Sequence, residues 1–174
     1  MPRKIAALFA GLAGVCFMSV SATSTAAASP STLRPEANNG MTIAQVAGVM
    51  RDNGFTIVLN EDKAGEPVIF SEAIGLNFAL FGYNCEGAEM ACSEFLFSAY
   101  FDTDVAPSLE TINAFNEKAL AGRAFLDETG DPNIEHLFTV SAADDGELIE
   151  RNLAIWETVL TEFAEHIGYF EAGS

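Results

Sequence analysis

Two runs of eight residues, Leu76-Asn-Phe-Ala-Leu-Phe-Gly-Tyr83 and Glu94-Phe-Leu-Phe-Ser-Ala-Tyr-Phe101, are largely apolar at alternate positions of both parities. Side chains alternate across a strand, so each run has two apolar faces and belongs at the centre of a sheet. Helices are expected to cover one face of that sheet, and something else the other. Cys85 and Cys92 close the short segment between the runs.

The N-terminus constrains where the chain works. Arg3 and Lys4 precede an apolar stretch from Ile5 to Val20, followed by small residues ending Ala26-Ala27-Ala28. This is the order of a secretory signal peptide, with cleavage expected after residue 28 and release to a periplasm or the medium. The apolar stretch is short for a membrane span of about 20 residues, so no stable membrane insertion is expected after cleavage. Residues 29–40 contain Pro30, Pro35 and Asn38-Asn39-Gly40 without periodicity and read as a flexible leader. A single domain is expected over residues 41–170.

Loss of Arg3 and Lys4 takes the formal net charge from −17 to −19. Such a charge repels phosphate backbones and excludes nucleic acid as a partner. The acids are interspersed with 14 phenylalanines, so the chain has the means to build a core. In an oxidising compartment the remaining pair, Cys85 and Cys92, reads as one disulfide.

Element order follows from periodicity. Thr42-Ile-Ala-Gln45 fits a capping box, and the helix it opens stops at Gly54. Phe55–Asn60 and Val68–Ser71 alternate as strands around a turn at Asp62–Gly65, and the two central runs follow. Ser108 caps a second helix, whose expected buried stripe is Leu109, Ile112, Phe115, Ala119 and Leu120. Asn113 and Asn116 on this helix either face water or bond a neighbouring backbone. Gly122–Asp127 and Ile134–Val140 form a second hairpin. The last helix carries a stripe of Ile149, Leu153, Trp156, Leu160, Phe163 and Ile167. The fold expected is α+β, an antiparallel sheet with three helices in the order α-β-β-β-β-α-β-β-α.

Residues that carry chemistry are sparse. The chain has no Gly-x-Ser-x-Gly elbow, and its cysteines are expected to be bridged. Glu162-Phe-Ala-Glu-His166 lacks the first histidine of an inverted zinc motif. Asp127 to Asp131 superficially matches a calcium loop, but Pro132 and Phe138 stand where glycine and glutamate are needed. No catalytic residue, cofactor or metal site is assigned. Arg123, between apolar neighbours, is expected to pair with Asp127, Asp131 or Glu135, or to read an anion.

Several stretches in this order resemble the YbjN family of bacterial proteins. They are Phe78-Ala-Leu-Phe-Gly-Tyr83 with Cys85, Cys92–Phe101, Ile112-Asn-Ala-Phe-Asn116, Gly122-Arg-Ala-Phe-Leu-Asp127 with Gly130-Asp-Pro132, and Asn152-Leu153 with Trp156. The resemblance implies an α+β fold like that of type III secretion chaperones, with a sheet able to dimerise or bind peptide. It also implies a role in regulating sensory transduction, without established catalytic residues. It marks Asn113, Asn116, Arg123 and Asp127 as motif positions that fix a helix–strand corner, with Asp131 and Trp156 as further structural or partner-binding candidates. The expected function is an exported, non-enzymatic interaction module that takes a protein, a peptide or a second copy of itself. The alternative is a small-ligand binder or enzyme with a pocket around Arg123 and His136.

Overall fold

A computed structural model describes residues 40–144 and 146–172. The expected signal peptide (1–28) and all of the leader except Gly40 lie outside the described residues. A two-residue strand β1 (Met41–Thr42) leads into α1 (Ile43–Asp52). Four strands follow: β2 (Val58–Glu61), β3 (Pro67–Ala73), β4 (Leu76–Glu86) and β5 (Ala91–Tyr100). Then come α2 (Leu109–Lys118), β6 (Arg123–Leu126), β7 (Pro132–Thr139), α3 (Glu147–His166) and the short α4 (Tyr169–Ala172).

The strands form one antiparallel sheet in the order β2-β3-β4-β5-β7-β6, with β1 paired to β5. The two doubly apolar runs, β4 and β5, are the central pair of strands, as their composition demands. The β5-to-β7 pairing departs from simple sequence adjacency. The chain crosses through α2, lays β6 at the outside and returns with β7 beside β5. The better buried strand takes the inner place: β7 presents Ile134 and Phe138 to the core, whereas β6 presents Ala124.

Local chemistry fixes the helix starts. Thr42 caps α1, accepting from Gln45 N–H at 3.2 Å while Gln45 Oε1 accepts from Thr42 N–H at 2.8 Å. Ser108 accepts from Thr111 N–H at 3.1 Å. Helix α3 buries Ile149, Leu153, Trp156, Leu160 and Phe163 against the sheet. Trp156 is fully buried, its ring 5.2 Å from that of Phe97 and nearly parallel to it. The α2 stripe is narrower than expected. Ile112 and Phe115 are buried, but Leu109 and Leu120 are exposed. Helix α2 meets the C-terminal part of α3, where Phe115 packs on Phe163 and His166 and the Thr111 carbonyl is bonded by His166. Leu109 opens the helix and Leu120 lies beyond its last residue, Lys118.

Candidate functional site

Register divides the sheet into two faces. Leu80, Phe97 and His136 lie in one cross-strand row, and Ile69 pairs with Leu80. That face, with Phe78, Phe95, Phe138 and Ile134, packs into the core with α1, α2 and α3. The other face carries Val58 on β2, Val68 and Phe70 on β3, Ala79 and Phe81 on β4, Leu96 and Tyr100 on β5, and Leu137 on β7. No described helix covers it. Val58, Phe70, Leu137 and Tyr100 are 56%, 43%, 55% and 71% exposed. Val68 and Ala79 are nonetheless buried, because their larger neighbours roof them over.

A groove of about 560 Å³ crosses this face from Thr56 and Val58, past Phe70, Ala79 and Phe81, to Ser98, Tyr100 and Asn133. Glu72 and Asn77 line one end of it. The open face is also acidic. Glu72 lies on β3, Glu94 on β5 and Glu135 on β7, by the same alternation, and Glu66 stands immediately before β3. The base on this face, Arg123, pairs with Glu135 at 2.5 Å and lies over the Phe125 ring. The Tyr83 hydroxyl, on the same face, is pushed above its ordinary pKa by partial burial, with the carboxylates of Asp62, Glu135 and Glu66 adding to the shift. One Glu66 carboxylate oxygen, Oε2, is shielded from solvent and has no hydrogen-bond partner.

The residues singled out in the sequence fall into separate places. Cys85 and Cys92 stand opposite each other across the β4–β5 hairpin and are joined by a disulfide. Both asparagines are exposed, and Asn116 bonds the backbone of Ala124 through its side-chain amide. Arg123 takes Glu135 as its partner among the three carboxylates considered. Asp127 and Asp131 organise the β6–β7 turn. Asp127 Oδ1 accepts from the backbone N–H of Thr129 at 2.9 Å and of Asp131 at 3.0 Å. Thr129 Oγ1 lies 2.7 Å from Asp127 and 2.8 Å from Asp131. These bonds, the Thr129 hydroxyl first, hold the Asp127 carboxyl below the ordinary aspartate range. Trp156 is enclosed in the core and offers no surface to a partner.

A shared pocket around Arg123 and His136 is not formed. Arg123 faces Glu135, so His136, the next residue of β7, points to the opposite side of the sheet. There His136 stacks on Phe97, and its Nε2 lies 3.0 Å from Asn152 Oδ1. Asn152 donates through Nδ2 to the Leu148 carbonyl, which leaves Oδ1 to accept and so places a proton on His136 Nε2. His166 bonds the Thr111 carbonyl at 2.9 Å. Both imidazoles are tied into the packing of helices.

Sequence reasoning identified the second sheet face but not the groove residues Phe70, Glu72 and Tyr100. Their signal was the alternation of β3 and β5, read once the core parity was known. Among the described residues, no group of three or more His, Cys, Asp or Glu is placed to hold a metal ion. No helix among them is long and apolar enough to cross a membrane.

An α+β domain in which the three long described helices, α1, α2 and α3, lie against one face of an antiparallel sheet is the class of protein defined here. The family model YbjN, described as "Putative bacterial sensory transduction regulator", matches residues 42–168, and the chain belongs to that family. Neither a curated protein nor a solved structure matches it.

Proposed function

We propose that this chain is an exported, non-enzymatic interaction module of the bacterial envelope that acts in a chaperone-like or regulatory way through its open sheet face. One observation carries the reading: helices cover the core face, while Val58, Phe70, Leu137 and Tyr100 stay exposed on the other. Contiguous exposed apolar surface of this kind marks an interaction site. The family description as a regulator supports a binding role over a catalytic one. Export rests on the order of basic, apolar and small residues before Ser29.

Two measurements test this reading. Fractionation of cells expressing the whole chain should yield a protein in the periplasm or medium that begins near Ser29, and retention of an intact N-terminus in the cytoplasm would overturn export. The purified protein should slow aggregation of an unfolded test protein, followed by light scattering. The double variant Phe70→Asp with Tyr100→Asp should lose that effect while keeping its unfolding midpoint. Equal protection by the variant, or none by the parent, would overturn the interaction reading.

A further inference from the structure

The open face combines an apolar track with carboxylates at both ends. Along β3 the residues on this face are Val68, Phe70 and Glu72, and Glu66 immediately precedes the strand. Glu72 lines the groove at one end. Outside the groove, just before β3 begins, Glu66 adds to the negative field at Tyr83, and its Oε2 is shielded from water without a partner. A buried carboxylate oxygen is stabilised by a donor, and most by a cationic one. No base of the described residues supplies it: Arg123, the base on this face, is engaged by Glu135.

We infer, building on the interaction reading above, that the occupant of this face is an extended polypeptide segment with a lysine or arginine at each end of a short apolar stretch. The spacing follows from strand geometry. Glu66, immediately before β3, and Glu72 within it are six residues apart, about 20 Å of extended chain. An extended segment of about seven residues lying along β3 and β4 spans that distance. Its first and last side chains meet Glu72 and Glu66, in either direction, and the two apolar side chains between them settle on Phe70, Ala79, Val68 and Phe81. A second copy docked face to face is disfavoured, because it would set Glu66, Glu72 and Glu94 against like charges.

The test uses the oxidised mature protein and two labelled peptides followed by fluorescence anisotropy. One has lysines at its first and seventh positions, leucine and phenylalanine at its third and fifth, and threonine between. The other replaces both lysines with glutamate. The lysine peptide should bind, and its affinity should fall by about tenfold or more from low to high salt. The glutamate peptide should bind at least about tenfold more weakly. Glu66→Gln and Glu72→Gln should each weaken the lysine peptide several-fold, Glu117→Gln on the exposed side of α2 should not, and Phe70→Ser should abolish binding.

Equal binding of both peptides, or indifference to Glu66→Gln and Glu72→Gln, would overturn the charge inference. The interaction reading would survive that result if Phe70→Ser still abolished binding. Binding of neither peptide would overturn the inference even where protection against aggregation persists. A dimer in sedimentation that Phe70→Ser disperses would also overturn it, by naming a second copy as the occupant.

Discussion

The side-chain amide of Asn116 holds both backbone groups of Ala124. Its Oδ1 accepts from the Ala124 N–H at 2.9 Å, and its Nδ2 donates to the Ala124 carbonyl at 2.9 Å. Asn116→Ala leaves both groups without that partner, and the expected loss is about 1–3 kcal/mol of stability. Asn113→Ala, one turn away and exposed, should change stability by no more than about 0.5 kcal/mol. Urea unfolding of the two variants under identical conditions checks the contrast.

The bond between Cys85 and Cys92 closes a short loop with a sequence separation of 7. On the chain-entropy model such a closure contributes about 2–3 kcal/mol. The double variant Cys85→Ala with Cys92→Ala should lose about that much, and the parent should lose a similar amount on reduction. Denaturant midpoints with and without a thiol reductant measure it.

Gly122 has φ +83°, and a Cβ there would stand 2.7 Å from Val159 Cγ1 and 3.3 Å from Ile134 Cδ1. Gly122→Ala therefore meets a backbone cost and an overpacked core at once, together about 2–4 kcal/mol. Adding Val159→Ala should recover part of the steric share and none of the backbone share. The thermal midpoints of the single and double variants read this directly.

Asp127 has its folded-state pKa depressed, led by the Thr129 hydroxyl and aided by the backbone N–H of Asp131. A depressed carboxyl pKa adds stability above the unfolded value of about 3.9, and that contribution is lost as pH falls through the folded pKa. Thr129→Val should bring the Asp127 titration, followed by NMR, up toward the ordinary value. It should also reduce the drop in stability on acidification. An unmoved Asp127 titration in that variant would refute the assignment.

Ser71 sits on the core side of β3, and its hydroxyl is buried without a hydrogen-bond partner. Removing an unpaired buried hydroxyl at nearly constant shape recovers its desolvation cost. Ser71→Ala should be neutral or stabilising by up to about 1 kcal/mol in urea unfolding.

Much of this architecture is written in local sequence patterns. The Thr42–Gln45 capping box, the α3 stripe and the two doubly apolar strands each act through residues close in sequence, and each is found where periodicity places it. What escaped depends on contacts distant in sequence. Leu109 and Leu120 share the apolar character of Ile112 and Phe115, and only the reach of α3 decides which of them is covered. Asn113 and Asn116 are chemically identical, yet only one faces Ala124. The two-residue β1 has no pattern of its own and exists through its pairing with Ala91 and Cys92. At the site, the alternation of β3 and the residue before it encodes the Glu66–Glu72 spacing, but which parity faces outward depends on where the helices pack.

Antiparallel pairing turns alternate residues away from the partner strand, and Ala124 is turned away from β7. Asn116 thus stands where a further strand would dock, and it blocks growth of the sheet beyond β6. At the opposite limit, the four residues of β2 are all exposed. Among the described strands, accretion by backbone pairing is therefore possible from one side only. Two molecules joined through β2 would use up each other's open row, so association by that route terminates at a pair and does not propagate into a fibre.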